Sequence, residues 1–144
     1  MNEGRSMNIR TVITHHLVKG EDLNHHGTLF AARGAEWFVE AGFISAAACV
    51  PPEQIVMVRI NSMDFVRPVR PGEVLCLKSA VVLTGRTSLI SHISADVGGE
   101  PVLDGFITFV NIGKDARPVP HGITILPETE EEKELQRKAG ELRK

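Results

Sequence analysis

The sequence predicts an α+β fold in which a curved antiparallel sheet of about five strands wraps one long helix. Two observations carry this prediction. The segment from Thr28 to about Ala48 lacks proline and is rich in Ala, Glu, Leu, Phe and Trp, which is typical of a helix. After Pro51-Pro52 the pattern changes to runs of Val, Ile, Leu and Thr bounded by Gly or Pro, which is typical of strands.

The N-terminal part of the chain leads into the helix. Residues 1–7 are expected to be disordered, and the β-branched residues of segment 8–19 predict a first strand. The helix follows, with Asn24 or Thr28 near its N-terminal cap. Because the helix is apolar around most of its circumference, we expect it to be buried on nearly all sides.

The remaining elements follow the proline pair. Four strands are predicted, over residues 54–65, 73–84, 87–97 and 101–112. Gly98-Gly99 indicates a hairpin between the last two strands. Residues 114–127 contain three prolines and are expected to form a loop. Residues 128–144 are acidic first and basic last, which suits the dipole of a solvated C-terminal helix. The chain, residues 1–144, is expected to form one domain.

Composition narrows the classes of function. With 42% hydrophobic and 24% charged residues, the chain is expected to be globular rather than disordered. A net charge of −2 does not indicate a basic surface that would bind nucleic acid. No apolar run approaches the roughly 20 residues that span a bilayer, and the first residues do not form a secretory signal. Cys49 and Cys76 lack CxxC spacing, so we expect two buried free thiols in a reducing cytoplasm.

A polar turn, Asn24-His25-His26-Gly27, opens directly into the predicted helix. Amides at the start of a helix have no internal partners and favour negative charge. A side-chain amide, two imidazoles and these backbone donors together form a candidate site for a developing oxyanion, which acyl transfer requires. Adjacent histidines on an extended turn are expected to point apart, and no third ligand is evident, so no metal site is predicted.

This segment resembles the hotdog-fold acyl-CoA thioesterases, whose motif has the form N-x-x-G-x-L-F-G-G. Asn24, Gly27, Leu29 and Phe30 match that motif, and Ala31-Ala32 occupies the position of the two glycines. Two later segments, Phe65-x-x-Pro68-Val69-x-x-Gly72 and Gly85-Arg86-Thr87-Ser88, are similar to later strand motifs of the family. The resemblance covers most of residues 9–140.

The resemblance implies hydrolysis of an acyl-CoA thioester to a free acid and coenzyme A. No metal or redox cofactor would be required, and coenzyme A would enter only as part of the substrate. The family also implies homodimers or higher homo-oligomers, such as tetramers or hexamers, with active sites at the dimer interface. The two exposed edges of a five-stranded sheet favour pairing between copies independently.

The resemblance also implies roles for particular residues. Asn24 would position the thioester or the attacking water, and His26 would hydrogen-bond beside the thioester carbonyl. Backbone groups at Gly27 and Ala32 would polarise that carbonyl. A further group would hold coenzyme A, with the arginine on a phosphate, and comprises Arg86, Thr87 and Ser88.

One position departs from the family. Seven residues after the second glycine the family has an aspartate or glutamate, and here Val39 occupies that position. Glu36 lies one turn earlier and projects to nearly the same side, whereas Glu40 is rotated by about 100°. We expect one of them, with preference for Glu36, to act as general base or nucleophile, its pKa raised by burial. Alternatively, Arg33 pairs with Glu36 on a solvated face.

Two other functions remain open from the sequence. Hotdog hydratases and dehydratases use a loop histidine with a helix glutamate, and His26 with Glu40 has a comparable separation. A protein with Val39 in place of the acid could also bind acyl-CoA without turning it over. His92 and His121 are assigned structural roles.

Overall fold

The computed structural model describes residues 4–143. In chain order its elements are β1 (Arg5–Asn8), β2 (Val12–Leu17), α1 (Ala31–Ala47), β3 (Ile55–Phe65), β4 (Val74–Thr84), β5 (Ser88–Val97), β6 (Glu100–Asn111), β7 (Ile123–Leu126) and α2 (Glu130–Leu142). No helix among these residues is long and apolar enough to cross a membrane.

Five strands form one antiparallel sheet in the order β2-β4-β5-β6-β3, with α1 packed against it. The two faces alternate along β4 with the period of two expected of a strand. Leu77 and Val81 face α1, whereas Ala80 and Val82 face α2. The predicted fold class and its central helix are therefore confirmed, and Gly98-Gly99 forms the β5–β6 turn with both residues at positive φ.

The N-terminal prediction is wrong in two respects. Segment 8–19 is not one strand, because β1 and β2 are separate and lie in different sheets. Residues 5–7 belong to β1, contrary to the predicted disorder of residues 1–7; residues 1–3 lie outside the described part of the chain. Segment 114–127, predicted to be a loop, contains β7, which pairs in parallel with β1. These partners are more than 100 residues apart, and local sequence patterns do not report such a pairing.

Helix α1 begins later than predicted. Neither Asn24 nor Thr28 caps it; Phe30 is the N-cap residue, in extended conformation and without a side-chain cap bond. Two backbone bonds hold this approach to the helix extended, from Leu29 N to Val69 O at 2.8 Å and from Phe30 N to Asp22 O at 2.8 Å. Backbone bonds to residues outside the helix therefore fix its start, and local capping chemistry does not.

The prediction that α1 is buried on nearly all sides is also wrong. One face packs on the sheet through Gly34, Trp37, Phe38, Ala41, Gly42, Ser45 and Ala46. The opposite face is exposed in the single chain at Ala31, Ala32, Glu36, Glu40 and Ile44. Apolar residues dominate the rest of the helix, so the sequence pattern did not show that one face is polar and exposed.

Small and hydroxyl side chains set how α1 sits on the sheet. A Cβ on Gly42 would lie 3.2 Å from Ile93 Cδ1, so only glycine allows this close approach without displacement. Ser45 of the helix is buried with Ser79 of β4 and Ser91 of β5. Ser79 Oγ donates to Ser45 Oγ at 2.7 Å, and Ser45 and Ser91 hydroxyls lie 2.8 Å apart. This buried network joins the helix to two central strands and fixes its position.

Helix α2 forms as predicted, with Thr129 as its N-cap and a capping box with Glu132. It is solvated on one side only, because Leu135, Ala139 and Leu142 pack on the sheet face opposite α1. Gln136 Nε2 also donates to two strand carbonyls, Val82 O at 3.0 Å and Ile125 O at 3.1 Å.

Candidate active site

Asn24 organises the turn that precedes α1. Its Oδ1 accepts hydrogen bonds from the backbone N–H of His26 at 2.8 Å and of Thr28 at 3.2 Å. Its Nδ2 donates to Thr28 Oγ1 at 3.2 Å and to Leu29 O at 3.4 Å. Gly27, at φ +79°, completes the reversal, and its N–H donates to Asn24 O at 3.1 Å. In the single chain both side-chain polar atoms of Asn24 serve this turn.

The free backbone donors lie at the first two positions of the helix. Within residues 4–143, no acceptor contacts the N–H of Ala31 or Ala32, and both residues are exposed. The next two amides, of Arg33 and Gly34, both donate to Phe30 O. Gly27 was predicted to offer its amide to an oxyanion, but that amide is bonded to Asn24. The donors available at this helix start are therefore those of Ala31 and Ala32.

The two histidines of the turn do not point apart. The ring centroids of His25 and His26 are 3.9 Å apart with an interplanar angle of 42°, and both side chains are exposed. The expectation assumed an extended chain, whereas the turn built by Asn24 brings the rings to one side. Over the described residues, no three His, Cys, Asp or Glu side chains are grouped to hold a metal ion.

Glu36 projects outward from α1 beside Arg33. Arg33 Nη1 lies 3.3 Å from Glu36 Oε2, so the pairing that was the alternative to a catalytic role is present. The Glu36 side chain is 64% exposed and that of Glu40 is 58% exposed, so neither carboxylate is buried as expected. In the single chain, both carboxylates on the outward face of α1 are therefore exposed to solvent.

Asp22 is a residue of this region that the sequence did not single out. Its side chain is only 4% exposed; Oδ2 accepts a hydrogen bond from Lys19 N at 2.9 Å, and Oδ1 forms an ion pair with Arg33 Nε at 3.3 Å. The Lys19 backbone N–H, followed by the charges of Lys19 and Arg33, holds the pKa of Asp22 below its usual value against the opposing effect of burial. Asp22 thus links the turn to Arg33, and through Arg33 to Glu36. Nothing in the position of Asp22 in the sequence distinguishes it from an exposed acidic residue in a turn.

Glu40 has a different neighbour. Its Oε1 lies 3.6 Å from His16 Nε2, and the His16 ring stacks on Trp37 with centroids 4.3 Å apart. His16 belongs to β2, the edge strand opposite β3, so Glu40 points toward the β2 edge. Val39 is half-buried and packs against the core on another side of the helix. At about 100° per residue, the direction of Glu36 from the helix axis lies between those of Val39 and Glu40.

The predicted coenzyme A segment forms a well-bonded turn between β4 and β5. Gly85 N donates to Ser88 Oγ at 3.2 Å, and Asn111 N donates to Thr87 O at 2.8 Å. His121 accepts at Nδ1 from Ile123 N, so its Nε2 carries the proton and donates to Ser88 O at 2.9 Å. His121 is thus structural, as expected. Arg86 is exposed at the tip of this turn.

The structure brings some of the predicted site residues together and separates others. Asn24, His26, Gly27, Ala32 and Glu36 all lie on the turn and first two turns of α1. The helix start lies near the end of β3, since a Cβ on Gly34 would be 3.3 Å from the Phe65 ring. Arg86, Thr87 and Ser88 lie near the other end, because Ser88 pairs with Val110 and Val110 with Val56. Within one chain, the residues at the helix start and the Arg86-Thr87-Ser88 turn therefore lie apart by most of the length of β3.

The surroundings of Cys49, Cys76 and His92 agree largely with the predictions for these residues. Both thiols are free; Cys49 is buried, which raises the pKa of its thiol, but Cys76 is only half-buried. His92 Nε2 lies 3.1 Å from Asp104 Oδ2 on the sheet face that α2 covers, away from the helix start.

Comparison with known proteins gives the family. Residues 26–99 match the model of the thioesterase superfamily. An uncharacterised acyl-CoA thioester hydrolase of Bacillus subtilis, YkhA, is 31% identical over 119 residues, which are 77% of this chain and 67% of that protein. The human cytosolic acyl coenzyme A thioester hydrolase is 28% identical over 82% of this chain, and the chain spans about a third (33%) of its length. A crystal structure of an apo-hexameric acyl-CoA thioesterase superposes with a TM-score of 0.88 at 28% identity, covering 96% of this chain and 93% of that one.

Proposed function

The chain belongs to the thioesterase superfamily, and on this premise we propose that it hydrolyses an acyl-CoA thioester to a free acid and coenzyme A. The observation that carries the proposal is the helix start, where the Asn24 turn leads to two exposed amides, of Ala31 and Ala32, that have no acceptor within the described residues. Donors fixed by a folded turn need no reorganisation when charge develops on a carbonyl oxygen.

The reaction adds water across the thioester bond. The oxygen of water, as the base removes one of its protons, attacks the carbonyl carbon. The amides of Ala31 and Ala32 stabilise the oxyanion of the tetrahedral intermediate. Collapse of the intermediate breaks the carbon–sulfur bond and releases coenzyme A as the thiolate. The proton taken from water then passes to that thiolate. His26, beside the helix start, orients the water and the thioester, and Asn24 acts through the turn that its side chain holds, which fixes the two amides.

We assign the general base to Glu36. The Glu36 carboxylate lies on the exposed face of α1, and its Oε2 is held 3.3 Å from Arg33 Nη1. Glu40 is turned toward His16 and the β2 edge, away from the Val39 side of the helix. A Glu36 carboxylate can therefore reach the reacting water where the family's acid is replaced by Val39.

We also propose that the active unit is a homo-oligomer built on a dimer. Strand β3 is a sheet edge, and several of its apolar side chains are exposed, including Val56, Met57, Val58 and Ile60. Antiparallel pairing of two β3 edges about a two-fold axis would place the Ile55 end of one copy beside the Phe65 end of the other. The helix start of one copy and the Arg86 turn of its partner would then share one site. Further assembly, as in the hexameric relative, would add to this dimer.

A cytoplasmic location fits two observations. Cys49 and Cys76 are free thiols, which persist in a reducing compartment. The human relative is named as a cytosolic enzyme.

The test is thiol release from a panel of acyl-CoA substrates, from acetyl to palmitoyl and including an aromatic acyl group, with the free acid quantified in parallel. We expect equimolar thiol and acid from at least one substrate. An enoyl-CoA product without thiol would indicate a hydratase or dehydratase, and tight coenzyme A binding without turnover would indicate a binding protein. The hydrolase names of the relatives favour neither alternative.

A further inference from the structure

Asp22 is a buried acid that takes no direct part in the proposed reaction. Among residues 4–143 it is the only aspartate or glutamate whose side chain is buried. Burial of a carboxylate costs free energy unless the group is paired and hydrogen-bonded. The contacts of Asp22 therefore show what its burial achieves.

Asp22 contacts both halves of the candidate active site, through different atoms. Its backbone carbonyl accepts a hydrogen bond from Phe30 N at 2.8 Å, immediately before the two free amides of the helix start. Its side-chain Oδ1 lies 3.3 Å from Arg33 Nε, and Arg33 Nη1 lies 3.3 Å from Glu36 Oε2. The backbone of Asp22 thus fixes the amide donors, and its side chain fixes the arginine beside the base.

An arginine on an exposed helix restrains a nearby glutamate only weakly. Arg137 of α2 is an example, because it is exposed and contacts two exposed acids, Glu134 and Glu141. Arg33 differs because one of its two carboxylates, that of Asp22, is buried and hydrogen-bonded. A planar guanidinium bound to a fixed carboxylate through Nε presents Nη1 in a fixed direction. Arg33 can therefore hold a glutamate that would otherwise move freely in solvent.

We propose that Asp22 is a positioning residue for the hydrolysis, which acts through Arg33 to hold the Glu36 carboxylate toward the attacking water. This inference rests on the proposed function. The direction of the base affects the chemical step and not the binding of substrate, so the Asp22 side chain acts on kcat and not on KM. Asp22→Asn isolates this effect, because asparagine keeps an oxygen for Lys19 N and the backbone carbonyl for Phe30 N.

The test is a double-mutant cycle of Asp22→Asn and Glu36→Gln, with thiol release measured well below the melting temperature of every variant. Asp22→Asn alone is expected to lower kcat about tenfold and to leave KM within about twofold. In the Glu36→Gln background the same substitution should change kcat by less than about twofold, because the base that it positions is absent. A residue that only stabilises the fold would change kcat by the same factor in both backgrounds.

Three further variants sharpen the cycle. Glu141→Gln removes one of the two carboxylates around Arg137 and is the matched control, expected to leave kcat and KM unchanged. Arg33→Gln removes the link while Asp22 keeps its bond from Lys19 N, and should reproduce the cycle even if Asp22→Asn does not fold. Arg33→Lys keeps the charge without the fork and is expected to give an intermediate kcat.

Equal losses of kcat in the two backgrounds, or no loss in the presence of Glu36, would overturn the inference for a folded variant. The ¹⁵N relaxation of the Arg33 Nε–H group gives a readout that does not depend on turnover. We expect this group to be ordered in the wild type and mobile in Asp22→Asn. If the wild type releases no thiol from any acyl-CoA, the proposed function fails, but this change in Arg33 would leave the Asp22–Arg33 restraint standing. An Arg33 group equally mobile in both proteins would refute the positioning role alone.

Discussion

Val39 stands where the resemblance places a catalytic acid, and the two glutamates nearby have different surroundings. Glu36 is held by Arg33, which is itself held by the buried Asp22, whereas Glu40 lies beside His16 of β2. These contacts make Glu36 the better positioned carboxylate for the helix start. Helical geometry alone predicts this preference, but the Asp22–Arg33 link that supports it requires a residue from outside the helix.

A carboxylate restored at position 39 should replace Glu36. In a Glu36→Gln background, Val39→Asp is expected to raise kcat at least about tenfold over Glu36→Gln alone, because it supplies a general base on nearly the same side of α1. Glu36→Gln with Val39→Asn is the matched control, with similar size and no base, and should show no recovery. Recovery in the control, or none with aspartate in a folded protein, would contradict the assignment. Steady-state thiol release measures both.

Asp22 should make the stability of the protein sensitive to acid. Its pKa is lowered in the folded state, so its stabilising contribution is present above the unfolded value of about 3.9 and is lost as the pH falls through the folded value. Asp22→Asn is expected to lower Tm at pH 7 and to flatten the fall of Tm between about pH 5 and 3. Thermal melts across this range test the prediction, with the exposed Asp115→Asn as control. Identical pH profiles for wild type and Asp22→Asn would refute it.

At the scale of elements, the long strands and the helix could be predicted, and the short pairing could not. Strands β3 to β6 have ten or more residues each, and their Val, Ile and Leu runs predict them within one or two residues. Strands β1 and β7 have only four residues each and are stabilised by each other. The start of α1 was missed for a similar reason, because one of the backbone bonds that set it comes from Val69, on a distant segment of the chain.

The contact between α1 and the sheet leaves no room at Gly42. Gly42→Ala is expected to destabilise the protein by about 1–3 kcal/mol, because the new methyl group would lie 3.2 Å from Ile93 and 3.3 Å from Ile107. Gly140→Ala in α2 is the matched control. There the methyl group would only meet Leu83 at 3.8 Å, so the better helix propensity of alanine should stabilise the protein by about 0.5–1 kcal/mol. Urea unfolding measures both; a stabilised Gly42→Ala variant would refute the packing argument.

At the scale of the whole molecule, the helix start and the Arg86 turn lie near opposite ends of β3 in one chain. The resemblance implied a shared interface site, but periodicity and composition cannot show which edge of a sheet meets a second copy. The exposed apolar side chains of β3 identify that edge.

Charge introduced on the β3 edge should therefore remove activity together with assembly. Val58 is 56% exposed on this edge, and Val58→Asp is expected to give a monomer with at least about a tenfold loss of kcat/KM, because buried like charges oppose the pairing. Val74→Asp, at a site 48% exposed at the start of β4, is the control and should remain oligomeric and active. Light scattering and thiol release are measured on the same samples. A fully active Val58→Asp monomer would contradict a site shared between copies.

The most direct test of the central claim is kcat for thiol release from the best acyl-CoA substrate by wild type, Glu36→Gln and Glu40→Gln side by side. If Glu36 activates the water, its replacement should lower kcat by about 100-fold or more, and Glu40→Gln should stay within about twofold of wild type. Unchanged turnover in Glu36→Gln, or a larger loss in Glu40→Gln, would contradict the assignment of the base to Glu36.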